Sequence, residues 1–306
     1  MRPIGSWRRR VSVCVLLAWW LSSAALAQAP EGALGGTLLK ARNRGEVLVG
    51  YRDASIPLSY QSTRGEPIGY SIDICRAIVD AMSTEVGRDL VIRFVPVTSE
   101  TRIDAVTSGK VDLECGSTTS NLERKKLVDF SPVTFIAGTK LMVKAGSPIR
   151  SFRDLGGRTV VVTSGTTNEK TMRDLAARFR IDMTIVTGSD HADSYAQLAS
   201  GKADAFATDD VLLYGFIALN RAQDQLVVVG DFLSYDPYGI MFRRNDPQLA
   251  ALVTTTMSGL AASRELEQTY TKWFLRQLPT GQRLNIPMSA QLAEVIRIMG
   301  GDPASQ

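Results

Sequence analysis

The run Gly116-Ser-Thr-Thr119, followed at a short interval by Arg124, holds the densest chemistry in the chain. Ser117 and Thr119 are small hydrogen-bond donors. Arg124 stands about one helical turn further on, and its planar fork matches a carboxylate. The chain's single histidine is His191, so no imidazole neighbours these hydroxyls in sequence and a Ser-His triad finds no support. They read as clamps on a carboxylate rather than as nucleophiles. The plain alternative for Arg124 is a solvated arginine in the charge run Glu123–Lys126.

Further polar residues stand where strands are expected to end and helices to begin. Ser164-Gly-Thr-Thr167 precedes a helix, whose first amide groups are unpaired and suit an anion. Asp209 opens another helix. Asp209 and the threonines read equally well as simple N-caps. Arg52 follows one expected strand, and Ser99 with Arg102 follow another. If Arg52, Arg102 and Arg124 share a crevice with Asp209, three positive charges face one negative, an excess of two. That surplus suits a ligand with a second carboxylate, with Asp53 or Glu100 partly neutralising one arginine. His191 could donate to the same carboxylate, or it could cap its helix beside Asp190. Glu114, alternating with Leu113 and Cys115, is ambiguous. A single His and no CxxC pattern leave no metal site and no cofactor to expect.

The positioning elements follow a β-α-β rhythm. Strands are expected at Val47–Tyr51, Val91–Val95 and Val111–Cys115, with helices at Ile72–Met82 and Thr101–Ser108, the latter capped by Ser99. The rhythm resumes with strands at Thr139–Val143, Arg158–Thr163, Met183–Val186, Ala203–Ala207 and Gln225–Val229. Helices are expected up to Phe179 and over His191–Ser200. Tyr238–Phe242 reads as one more strand, followed by two helices. This alternation predicts α/β architecture with mostly parallel sheets flanked by helices. Two such sets without a Pro/Gly/Ser-rich linker predict two lobes joined by ordered strands, with crossings near Phe135–Leu141 and Tyr238–Phe242. Ligands of open α/β sheets bind at the carboxyl ends of the strands, where the polar residues above fall.

The first 27 residues read as a leader. Arg2, Arg8, Arg9 and Arg10 precede an apolar run from Val11 to Leu21, and Ala25-Leu26-Ala27 ends it as a cleavage site. That run is shorter than the roughly 20 residues of a spanning helix. The whole chain carries +4, from 35 basic and 31 acidic residues. Four of the basic residues and none of the acids fall in 1–27, so the remainder balances at 31 and 31. The pI of about 9.0 is largely a property of the leader, and nucleic-acid binding loses its support. Beyond the leader stand Cys75 and Cys115. An oxidising compartment would allow a disulfide, but their apolar contexts favour buried free thiols.

Residues 44–280 resemble the periplasmic amino-acid-binding proteins of ABC importers, most closely the glutamate/aspartate-binding branch. The matching strings are Gly50-Tyr-Arg-Asp-Ala-Ser, Gly69-Tyr-Ser, Glu114-Cys-Gly-Ser-Thr-Thr, Val161-Val-Thr-Ser-Gly-Thr-Thr, Asp190-His-Ala-Asp-Ser and Asp209-Asp. Ser55-Ile56 depart from relatives that place an aromatic on the ligand just before Pro57. The resemblance implies two lobes with a two-strand hinge, closing on one amino acid. Residues 28–137 with 239–306 would form the first lobe, and 138–238 the second. It implies that Arg124 holds the α-carboxylate with Thr119 and Thr167, and that Asp209 and Ser117 hold the α-ammonium. Arg52, Ser99, Arg102 and His191 would hold a side-chain carboxylate. It further implies a monomer in the periplasm, an inner-membrane permease as partner, no nucleic acid and no catalysis. The rivals are an enzyme on the same fold, such as a dehydratase, and a component that presents ligand to a sensor.

Overall fold

Each of two five-stranded sheets has four strands running one way and a fifth running against them. The computed structural model describes residues 33–301, and the expected leader over 1–27 lies outside the described residues. In the first sheet the order is Val91–Pro96, Glu46–Tyr51, Leu113–Glu114, Met241–Arg243, Val128–Phe130. Met241–Arg243 is antiparallel to both neighbours. In the second the order is Thr184–Gly188, Thr159–Thr163, Ala205–Asp209, Thr139–Lys144, Leu226–Val229. Here Thr139–Lys144 is the reversed strand. Helices flank both sheets, which makes this a two-lobed α/β fold.

The reversed strands are the ones that arrive from the other lobe. A βαβ strand finishes at the crevice end of its sheet, whereas a crossing delivers the chain to that end, so the arriving strand must run away from it. The crossings themselves, Phe135–Ala137 and Asp236–Tyr238, pair antiparallel in a two-stranded hinge. Tyr238–Phe242 is therefore not one strand. It breaks at Gly239-Ile240 because Asp236–Tyr238 serves the hinge and Met241–Arg243 the first sheet. A third helix, Ala290–Met299, follows the two expected ones at the C-terminus.

Burial explains the patterning. Val160, Val161 and Val162 are all fully buried, as expected for a strand covered by helices on both faces. In helix Tyr70–Val86, residues Tyr70, Ile74, Ile78 and Met82 recur every four positions on the buried side, the stripe of an amphipathic helix. Gly87 ends it in the left-handed region, its N–H closing on Ser83 and Thr84 carbonyls. The hinge is rooted in the first lobe by aromatics. Phe135 stacks on Phe274 at 5.0 Å and lies 5.9 Å from Tyr238, and such pairs contribute about 0.5–1.5 kcal/mol each beyond area burial.

Cys75 and Cys115 are joined in a disulfide, with Cα atoms 6.3 Å apart. The expectation of free thiols is corrected, although both side chains are buried as expected. Cys75 lies on the buried face of Tyr70–Val86, and Cys115 directly follows strand Leu113–Glu114. Packing the helix on the sheet brings them together, a juxtaposition with no local signature. The bridge closes a 40-residue separation. Replacing both cysteines by alanine should lower the unfolding free energy by about 2–4 kcal/mol. Urea titration should show this as a lower midpoint with a slope equal or steeper, since the unbridged unfolded chain exposes more surface; an unchanged unfolding free energy would show that the bridge does not contribute.

Candidate functional site

All nine residues singled out in the sequence stand around the crevice between the sheets. Arg52, Ser99, Arg102, Ser117, Thr119 and Arg124 come from the first lobe, and Thr167, His191 and Asp209 from the second. Eight of them are buried and Thr167 is half-buried. The lobes touch. Thr119 and Thr167 hydroxyl oxygens lie 3.2 Å apart, and Arg124 Nη2 donates to the Gly165 carbonyl at 3.4 Å. Gly165 has φ +74°, and a Cβ there would come within 2.8 Å of Glu100 Cα. A glycine at this position is what lets the two main chains meet.

The first lobe supplies the cations. Arg52 emerges from strand Glu46–Tyr51 and donates through Nη2 to Ser99 Oγ at 2.7 Å. Ser99 thus does not cap the following helix; Thr101 occupies the N-cap position without a side-chain capping bond, its hydroxyl accepting from the Thr98 N–H instead. Arg102 donates from Nη1 to Thr118 Oγ1 at 2.7 Å and to the Ser117 carbonyl at 3.3 Å. Arg124 Nη1 donates to the Thr119 carbonyl at 2.9 Å, so it is not the solvated arginine that the charge run allowed. Arg52 Nη1 and Arg102 Nε are buried without a protein partner. Burial, and next the neighbouring Arg102, push Arg52 down to about 10 and Arg124 to about 9. Both remain charged at pH 7.

The second lobe supplies neutral and acidic groups. Asp190, not His191, caps its helix by accepting from the Asp193 N–H. His191 Nδ1 lies 2.9 Å from Thr163 Oγ1, which is 2.8 Å from Ser194 Oγ. Burial first, then Arg52 and Arg102, hold His191 well below its usual value, so the ring is neutral. Thr166 is the N-cap of helix Thr167–Phe179, which leaves the Thr167 hydroxyl for the crevice. Asp209 occupies an N-cap position, yet its side chain does not cap. It accepts from Asn168 Nδ2 at 2.8 Å and from the Tyr238 hydroxyl of the hinge. Burial, then Asp236, push its carboxyl up to about 7.

Participants that escaped the sequence reading include Thr118, Thr163, Asn168, Ser194, Asp236 and Tyr238. Asp236 and Tyr238 belong to the hinge, and a hinge strand must border the crevice that closes around it; that rule could have found them. The charge sum also changes. Asp53 bonds Gln61 and Glu100 is exposed, so neither neutralises an arginine. Instead Glu114 and Asp236, both buried, join Asp209 against the three arginines, and the expected excess of two becomes a balance. Support for a second carboxylate therefore rests on donors rather than on net charge. Arg52 and Arg102 bear on the charge of His191, and Arg124 lies with the Thr119–Thr167 pair where the lobes touch. A cavity of about 460 Å³ bordered by Lys125, Lys170 and Tyr235 opens onto that threonine pair.

Residues 47–276 match the model of a family described as bacterial extracellular solute-binding proteins, family 3. Over 278 residues the chain is 44% identical to the L-glutamate/L-aspartate-binding protein of Pseudomonas aeruginosa, covering 89% of this chain and 92% of that protein. It is 40% identical to the glutamate/aspartate import solute-binding protein of Salmonella typhimurium, covering 90% and 92%. Among solved structures it is similar to an ancestral amino acid-binding protein, AncCDT-1, described as a precursor of cyclohexadienyl dehydratase. That match has a TM-score of 0.67 and 32% identity, covering 78% of this chain and 99% of the other.

Proposed function

The chain belongs to family 3 of the bacterial extracellular solute-binding proteins, and from that membership we propose that it captures L-glutamate or L-aspartate and delivers it to an ABC importer. The observation that carries this reading is the pair of buried donors without a protein partner, Arg52 Nη1 and Arg102 Nε, in a crevice that also holds the buried Arg124 guanidinium. Three buried guanidinium groups and one carboxylate between hydrogen-bond donors, Asp209, fit an amino acid that carries a second acid.

In this reading Arg124, Thr119 and Thr167 hold the α-carboxylate, and Asp209 with Ser117 holds the α-ammonium. Arg52, Ser99, Arg102 and His191 receive the distal carboxylate. The contact of His191 Nδ1 with the Thr163 hydroxyl at 2.9 Å holds the ring in place, with Nε2 as the nitrogen left for the crevice. Each charge-assisted bond contributes roughly 1.5–3 kcal/mol, partly offset by ordering and desolvation. Since the ligand groups are divided between lobes, ligand favours the closed arrangement over the open one. The protein works as a monomer in the periplasm after loss of its leader, with the inner-membrane permease as its partner.

We assign it no catalytic role. Catalysis would need a general acid or base placed on the reacting atom, and the similar curated proteins are named as binding proteins. Turnover of prephenate or arogenate would favour the enzyme reading instead. The direct test is isothermal titration of ligand-stripped protein starting at Gln28 with L-glutamate, L-aspartate, L-glutamine and L-arginine. Tight binding of the two acidic amino acids, with the other two far weaker, is expected. Silence with all four, or preference for a neutral or basic amino acid, overturns the reading.

A further inference from the structure

We propose that Glu114 is a specificity-setting positioning residue: a buried counter-ion held one hydroxyl away from the arginines, so that it balances them without occupying the donors meant for the ligand. This inference rests on the acidic-amino-acid reading above.

Glu114 is fully buried on strand Leu113–Glu114, where it pairs in register with Gly50, two residues before Arg52. Its Oε2 accepts from Thr118 Oγ1 at 2.6 Å, and the same oxygen of Thr118 accepts from Arg102 Nη1 at 2.7 Å. Thr118 therefore passes the carboxylate's influence to Arg102 while keeping the two apart. Among the described residues Glu114 makes no ion pair with an arginine within 4.0 Å. Its Oε1 has no protein partner, and neither do Arg52 Nη1 and Arg102 Nε. A Cβ on Gly116 would lie 2.3 Å from Glu114 Oε1 and 2.7 Å from Arg52 Cγ. The bare glycine is thus what allows the carboxylate and the arginine stem to share this floor.

The arrangement answers a physical conflict. Buried guanidinium groups need a compensating charge. A carboxylate paired directly with them would take the fork that the ligand requires. Placing it behind a hydroxyl separates the two demands. The charge of Glu114 favours the protonated form of Arg52, Arg102 and Arg124 alike. The same negative charge must repel an incoming distal carboxylate, while a neutral amide is indifferent to it. Glu114 therefore sets how strongly the site prefers an acid to its amide.

Two variants test this by titration with L-glutamate and L-glutamine. Glu114→Gln keeps the shape and the bond from Thr118 but removes the charge. Glutamate should bind about tenfold tighter or more, glutamine should be unchanged, and the preference should rise. Parallel weakening of both ligands would indicate a merely structural role and overturn the proposal, as would no change in either. Thr118→Val keeps the charge but removes the spacer, leaving the carboxylate free to pair with Arg102. Glutamate should then weaken about tenfold relative to glutamine; an unchanged ratio overturns the proposal. Wild-type protein that binds no glutamate would defeat the acidic-amino-acid reading itself. The counter-ion is then judged on melting of the ligand-free protein, where Glu114→Gln should melt about 5 °C lower and an equal melting temperature overturns it.

Discussion

Arg124→Ala is expected to abolish amino-acid binding at micromolar ligand, a loss of about 4 kcal/mol or a thousandfold in affinity. The guanidinium is buried and has one bond to each lobe, to the Thr119 carbonyl and to the Gly165 carbonyl. Removing it takes away the fork that meets the α-carboxylate and leaves that carboxylate desolvated without its partner. The unpaired charge, more than the lost bonds, makes the effect large. The variant also loses a contact that draws the lobes together, so both terms act in the same direction. Calorimetry on the folded variant decides it: near-normal affinity for glutamate and aspartate would remove Arg124 from the site. Arg124→Lys should recover only part of the loss, because an ammonium cannot make the two parallel bonds of the fork.

The second large effect concerns Asp209. Asp209→Asn should weaken binding by about 3 kcal/mol, a little over a hundredfold, because the ligand ammonium would be buried without a counter-charge. In the wild type the same group predicts a pH dependence with a definite sign. The Asp209 carboxyl is pushed up to about 7, by burial first and then by Asp236. Binding an ammonium requires the ionised form. Affinity should therefore be full above pH 8. It should fall about tenfold per unit below pH 7, until the ligand-bound carboxyl itself titrates. The stability contribution of Asp209 runs the other way. Its folded value lies above the unfolded one, so the contribution is fully present below the unfolded value and is lost as pH rises through 7. Between pH 8 and 5 the ligand-free protein should gain stability from this residue while the affinity declines. Titrations at four pH values, with the asparagine variant as a control, test both. A flat wild-type profile, or an asparagine variant with the same slope, would exclude Asp209 as the titrating group.

The sequence carried most of the architecture. Strand and helix rhythm was legible because the strands are short, apolar and bounded by turn residues, as in Val160–Val162, and because helix Tyr70–Val86 keeps a four-residue stripe. Where the reading failed, the failure was one of connection. Tyr238–Phe242 looked like one strand since nothing in five residues announces that two sheets divide them. Ser99 resembled a helix cap because the residue type suits a cap; the Arg52 side chain, which outcompetes that role, comes from 47 positions away. The thiols of Cys75 and Cys115 read as buried, and they are, but burial in sequence terms says nothing about whether two buried atoms meet.

By itself, then, the sequence determined the secondary-structure rhythm, the two lobes and the chemical types gathered at strand ends. Those follow from local periodicity and from the rule that parallel strands finish at a shared crevice. The tertiary structure alone decided the charge balance of the site. It joined Thr119 to Asp236 across 117 residues and Asp209 to Tyr238 at the hinge, and it set Glu114 behind Thr118. Electrostatic energy depends on the distances between charges and on the water excluded from between them. Neither is a property of the order of residues along a chain, and both exist only once the lobes have folded and met.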